Sequence, residues 1–150
     1  MKILITGGAG FIGSHLCDAL MERGHNLTVV DNLILGRKEN ISHLLGKVGF
    51  EFIEEDLLQT EAMRDIFKDR KFDMVYHLAA NSDIQKGGKD PQVDYDLTFN
   101  TTYHVLRYLK EFGIRKFFFA STSAIYGETS DVLNAVSYTH LRAHETRRHL

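Results

Sequence analysis

A chain of 150 residues, 43% hydrophobic and 25% charged, has the balance of an ordinary soluble globule and the length of one domain. It is long enough to bury about 70% of its unfolded surface. A net charge of −2 argues against a polyanion-binding surface, so no nucleic-acid partner is expected. The apolar run that opens the chain meets glycines at once, so neither a membrane span nor a signal-peptide core is expected there. Cys17 is the only cysteine, which excludes an intrachain disulfide. It reads as a small buried residue on a helix and fits a reducing, cytoplasmic location.

In chain order, short β-type runs alternate with helical stretches, the pattern of an α/β protein whose parallel sheet is covered on both faces. Lys2–Thr6 is the first predicted strand, followed by a glycine turn and a helix to about Arg23. Gly24 stands where a helix end favours positive φ. Asn26–Asp31 is the second strand. A polar loop, Asn32–Lys38, leads to a short helix near Glu39–Leu45. Phe50–Glu54 is predicted as strand three, Glu61–Lys68 as a helix and Met74–Leu78 as strand four. Pro91 precedes a long helix, about Val93–Phe112, and Lys116–Ser121 is strand five. His77 lies inside an apolar strand and reads as a packed, structural residue.

The strongest local signal is Thr6-Gly7-Gly8-Ala9-Gly10-Phe11-Ile12-Gly13, lying between a strand and a helix. Gly7, Gly10 and Gly13 have the spacing of a phosphate-binding turn: a tight bend, a backbone without Cβ near a diphosphate, and close helix–strand packing. Free amides and the positive end of the helix dipole would face the phosphates, which makes Gly7, Gly10, Phe11, Ile12 and Gly13 candidate binding residues. Asp31 closes strand two, 18 residues beyond Gly13. A carboxylate there suits ribose hydroxyls and repels a 2′-phosphate, favouring NAD over NADP, although Arg37 and Lys38 follow in the loop. Turn capping is the alternative role for Asp31.

With these features, the chain resembles the extended branch of the short-chain dehydrogenase/reductase family, the NAD-dependent epimerases and dehydratases of nucleotide sugars. The resemblance rests on Thr6–Gly13, Asp31-Asn32-Leu33, Glu55-Asp56-Leu57, His77-Leu78-Ala79-Ala80 and Ser121-Thr122-Ser123-Ala124-Ile125-Tyr126-Gly127, in the family's order across the first 134 residues. It implies a Rossmann-type doubly wound parallel sheet, here incomplete at about five strands in the order 3-2-1-4-5. It also implies NAD as cofactor, held by Asp31 and Asn32, by Asp56 on the adenine amino group, by Leu57 on the ring and by Ala79 and Ala80 beside the nicotinamide. Helix capping is the alternative for Asp56. The partners implied for the full-length parent are a nucleotide-sugar substrate and a second copy in a homodimer. No metal is expected.

Chemistry would begin at Ser121–Gly127. By resemblance, the Thr122 hydroxyl holds the sugar's C4 oxygen as hydride leaves, and Ser123 is a second donor. Satisfaction of loop backbone is the alternative for both. Asn100 is offset from the asparagine usual in the family's long helix, and no role is carried over to it. The Tyr-x-x-x-Lys pair on which the family's proton transfer rests is not found after any of the six tyrosines. The nearest look-alike, Tyr138 to Arg142, follows Tyr126 by only 12 residues and ends in a guanidinium.

Val136–Thr146 resembles one reading frame of a transposase sequencing adapter. Residues 1–134 are therefore expected to be the partial NAD-binding domain and residues 135–150 a non-native tail. A different genomic sequence behind residues 135–150 in the source DNA would defeat that reading. Metal binding by His140 and His144, or a basic tail through Arg147 and Arg148, are weaker alternatives without supporting ligands. The fragment by itself is expected to be inactive, and Phe117-Phe118-Phe119 is expected to leave an uncovered apolar sheet edge prone to aggregation.

Overall fold

The computed structural model describes residues 1–121. Thr122, Ser123, Tyr138 and the segment 135–150 lie outside the described residues. All elements below belong to one compact unit, Met1–Phe119. Its strands are β1 (Lys2–Thr6), β2 (Asn26–Asp31), β3 (Phe50–Glu54), β4 (Met74–His77) and β5 (Lys116–Phe119). They form one parallel sheet in the order β3-β2-β1-β4-β5, the order expected from the resemblance.

Alternation along β1 divides the core between the two faces of the sheet. Ile3 and Ile5 pack with Leu27, Val29, Cys17 and Leu20 under helix α1 (Phe11–Glu22). Leu4 packs with Val30 and Val75 on the opposite side, against α2 (Thr60–Arg70) and α5 (Thr101–Glu111). Both helices on that face present helical spacing to the sheet: Met63, Ile66 and Phe67 on α2, and Thr101, Val105, Tyr108 and Leu109 on α5. Tyr108 is buried, and its hydroxyl donates to the Thr60 carbonyl at 2.8 Å, tying α5 to the start of α2. Tyr108→Phe is expected to cost about 1 kcal/mol in urea unfolding, the net value of one neutral hydrogen bond.

Helix α1 stops where expected. Gly24 has φ +74°, its amide donates to the Met21 carbonyl, and the His25 amide donates to Leu20, which together make a Schellman cap. The short helix after the polar loop is a 3-10 helix over Lys38–Leu44.

Two features depart from the expected elements. A short helix, α3 (Ile84–Lys89), occupies a stretch in which Gly87 and Gly88 give no helical signal; Asp83 caps it by accepting the Lys86 amide at 3.0 Å. The long helix also begins earlier. It starts as α4 (Pro91–Asp94) behind an Asp90 cap and passes through a π-helical segment, Tyr95–Asn100, before α5. Thr101 and Thr102 donate their hydroxyls to the Leu97 and Thr98 carbonyls, a local competition with the backbone ladder that accompanies the wider turn. Asn100 closes that segment.

Candidate cofactor site

Gly7 bends the chain out of β1 with φ +74°, which L side chains rarely adopt. Its amide still donates to Val30 across the sheet at 2.9 Å, and a Cβ there would stand 2.7 Å from the Ala79 amide nitrogen. The turn is thus pressed against the end of β4. Gly10 caps α1 with extended backbone and no side-chain partner. The Ser14 amide is the first in the helix to reach back, donating to the Gly10 carbonyl at 3.0 Å. The amides of Phe11, Ile12 and Gly13 are therefore orphan donors of the first turn, and that turn carries no acidic side chain. The Phe11 and Ile12 side chains are exposed and Gly13 is buried. A Cβ on Gly10 would come within 3.3 Å of the Gly7 carbonyl oxygen, a close contact but a far milder one than at Gly7 or Gly13. This donor set and open backbone fit a diphosphate.

Beside the turn, Asp31 is buried at the end of β2. Its Oδ2 accepts the Ala9 amide at 2.9 Å, and its Oδ1 accepts the Leu33 amide at 2.9 Å. Turn capping therefore occurs, at one oxygen only, while the other oxygen joins strand two to the glycine turn. A carboxylate has about four lone-pair positions, so capacity remains for ribose hydroxyls. Leu33 follows with φ +58°, and Gly36 comes so near that a Cβ would lie 2.7 Å from Asp31 Oδ1. The carbonyl of Ala9 is held in turn by the Arg37 amide at 3.0 Å and Asn40 Nδ2 at 2.8 Å. Lys38, the other loop cation, pairs with Glu54 at 3.7 Å and lies over the Phe52 ring.

Asn32 bridges to the next strand end by donating to Asp56 Oδ2 at 3.0 Å, and Asp56 Oδ1 accepts the Leu58 amide at 2.8 Å. Asp56 caps the turn before α2; the helix N-cap itself is Gln59, without a side-chain bond. Leu57 is buried with Leu4 and Val30. Ala79 is partly buried against the same cluster, and Ala80 is exposed. Asp31, Asn32, Asp56, Leu57, Ala79 and Ala80 thus all stand at the carboxyl edge of the sheet, with the glycine turn between them.

Sequence reasoning assigned no individual role to four residues of this region, three of them inside the glycine-rich stretch itself. Gly8 is packed so that a Cβ would strike Val29 Cγ1. Ala9 contributes through its backbone, which its side chain does not announce, and Asn40 through a contact 31 residues away, which leaves no sequence signal. Thr6, a fully buried hydroxyl at the end of an apolar strand, was the one legible hint. It bonds to His77 Nδ1 at 2.6 Å. His77 is 1% exposed, and burial pushes its pKa down to about 4, so the ring is neutral at pH 7.

A parallel sheet with orphan amides after its first strand and a carboxylate closing the second defines a Rossmann-type nucleotide-binding domain. The NAD dependent epimerase/dehydratase family model matches residues 3–147, and the chain belongs to that family. UDP-glucuronic acid decarboxylase 1 of Danio rerio is 39% identical over 127 residues, 85% of this chain and 28% of that protein. A UDP-glucose 4-epimerase of Klebsiella pneumoniae is 32% identical over 131 residues, 85% of this chain and 94% of that sequence. The solved UDP-glucose 4-epimerase of Thermus thermophilus, in complex with NAD, is similar with a TM-score of 0.80 and 30% identity, covering 97% of this chain and 50% of that one. The chain thus spans little more than a quarter of the zebrafish decarboxylase and half of the Thermus epimerase. Among the described residues, no helix is long and apolar enough to cross a membrane.

Proposed function

We propose that this chain is the NAD-binding portion of a nucleotide-sugar epimerase that works by hydride transfer at sugar C4, in the manner of UDP-glucose 4-epimerase. The observation that carries the reading is the bond from the Ala9 amide to Asp31 Oδ2, which fixes a carboxylate beside a turn of orphan amides. The amides of Phe11, Ile12 and Gly13 take the diphosphate. Asp31 takes the adenosine ribose, Asp56 with Asn32 and Leu57 the adenine side, and Ala79 and Ala80 the nicotinamide side. When bound, NAD supplies the hydride acceptor. Thr122 and Ser123 hold the C4 oxygen by donating hydroxyl hydrogens to it.

The 150-residue chain itself binds NAD without turnover, because none of its tyrosines has a lysine four residues on. The single, buried cysteine supports a reducing, cytoplasmic setting for the parent enzyme. An exposed aromatic row, Tyr95, Phe99 and Tyr103, supports its working as a homodimer. A second reading, a UDP-glucuronate decarboxylase, is favoured by the 39% identity to the zebrafish enzyme. A 4,6-dehydratase is disfavoured because Ser123-Ala124 offers no carboxylate beside Thr122.

Calorimetric titration tests the reading. NAD is expected to bind and to raise the melting temperature, with NADP much weaker. Asp31→Asn is expected to weaken NAD by roughly tenfold to a hundredfold, the worth of a hydrogen bond to a charged group. Absence of binding at millimolar NAD refutes the site, and epimerisation of a UDP-sugar by the purified 150-residue chain refutes its inactivity.

A further inference from the structure

We propose that His77 is a positioning residue for the cofactor site: fixed in the Nε2-protonated tautomer, it ties Thr6, immediately before the glycine turn, to Thr102 at the start of α5 and through it to Thr98 in the π-helical segment, and so sets the spacing between the glycine turn and the Ala79–Asn81 segment. The inference rests on the NAD-binding reading and deepens it.

The tautomer follows from counting hydrogens. The Thr102 hydroxyl has one hydrogen, and the Thr98 carbonyl at 2.6 Å can only accept it. Toward His77 Nε2, at 3.0 Å, Thr102 Oγ1 must therefore accept, so Nε2 carries the proton. In a neutral ring Nδ1 is then bare and accepts the Thr6 hydroxyl hydrogen at 2.6 Å. The hydrogen bonds consequently run in one direction, from β1 through β4 to the helix. Thr98 closes the circuit from its side chain: its Oγ1 accepts the Asn81 amide at 3.1 Å. Asn81 directly follows Ala79-Ala80, and Gly7, next to Thr6, is pressed on the Ala79 backbone. The relay thus ties together the two segments that meet at the carboxyl edge of the sheet, the glycine turn after β1 and the Ala79–Asn81 stretch after β4.

Among the described residues, none of the ring's hydrogen-bond or ring-stacking partners is charged. The groups that pack on His77 are Thr6 from β1, Phe117 and Phe119 from β5, with ring centroids 6.3 and 6.0 Å away, and Thr102 from α5. A ring held between two hydroxyls and two aromatic rings has a fixed plane as well as a fixed tautomer. That pre-organisation is what a ligand site built on backbone amides requires, because those amides move only when the backbone moves.

The test uses the 150-residue chain labelled with ¹⁵N-histidine and titrated with NAD. Long-range ¹H–¹⁵N spectra at pH 7 are expected to show His77 protonated on Nε2; protonation on Nδ1, or a mixture, overturns the proposal without any variant. Thr102→Val is expected to raise the NAD dissociation constant about tenfold, the loss of one neutral hydrogen bond, and Thr102→Ser to restore it. A role confined to stability would lower the melting temperature of Thr102→Val while leaving NAD affinity, measured well below that temperature, at the wild-type value. That result overturns the positioning role and leaves the proposed function standing. Failure of the wild-type chain to bind NAD overturns both.

Discussion

Gly13→Ala is expected to abolish measurable NAD binding and to lower stability by about 3 kcal/mol or more, the upper range for overpacking a filled core. The added Cβ would land on the Gly7 carbonyl oxygen and within 2.6 Å of Gly8 Cα, so it meets backbone rather than a flexible side chain. That backbone has no freedom to yield. The Gly7 carbonyl accepts the Gly10 amide at 3.2 Å, the Gly7 amide donates to Val30 at 2.9 Å, and Gly7 itself abuts Ala79. Relief requires the whole turn to open, which displaces the amides of residues 11–13. A displacement of about 1 Å costs on the order of a hundredfold in a pre-organised site, so binding drops below detection at millimolar NAD.

Gly10→Ala separates ligand binding from folding. Its φ is −74° and its Cβ would meet the Gly7 oxygen at 3.3 Å, a close contact that a shift of about a tenth or two of an ångström relieves, far milder than the backbone collision at Gly13. Stability is expected to fall by at most about 1 kcal/mol, much less than in Gly13→Ala, while NAD binding falls because the methyl group stands beside the orphan amides. Thermal denaturation and calorimetric titration of the two variants check the contrast. Equal NAD affinity in Gly10→Ala and wild type would show that the glycine turn does not cradle the diphosphate.

The second large effect is acid lability arising from His77. In the unfolded chain its imidazole takes up a proton near pH 6.5; in the folded chain burial defers this to about 4. Between those values the unfolded state binds more protons, so stability rises with pH. The contribution is complete above pH 6.5 and is lost as pH falls toward 4, to a total of roughly 3 kcal/mol. About 2 kcal/mol of that should already be gone at pH 5. The Glu51 carboxyl contributes on a lower range, because the hydrogen bond from Arg70 holds it below the usual carboxylate value of 4.5. Burial and the neighbouring Arg107 also hold the His104 imidazole below its usual value, so it adds in the same sense over the window below pH 6.5, and the His77 share is the part that a His77 variant removes. Urea unfolding at pH 7 and pH 5 measures the loss, and His77→Gln should flatten the slope although it is less stable at pH 7. A wild-type chain equally stable at both pH values contradicts a neutral, buried ring.

Much of this protein could be read from local pattern. β1, β2 and β3 fall on the residues predicted, because short apolar runs bounded by glycine or polar residues have few other uses. The Gly7-Gly10-Gly13 turn and the Gly24 cap were legible because a positive φ or the absence of a Cβ restricts a position to glycine whatever surrounds it, while the strand order came from the resemblance to the family. Asp31 was legible as a carboxylate at a strand end. The early start of the long helix and its π-helical turn were not, since both depend on side chains bonding backward to individual carbonyls.

The sequence alone thus determined the family, through its motifs, and the place of the first three strands and of the glycine turn, because these depend on residues close in the chain. Only the tertiary structure decided that Asp31 both caps its own turn and grips Ala9, that Asn40 completes that grip, and that His77 bonds through both ring nitrogens rather than merely packing. Apart from the cap, those contacts join residues 22 to 71 positions apart. Hydrogen bonds require a few tenths of an ångström and a direction, and no local pattern carries either until the sheet has brought the strands together.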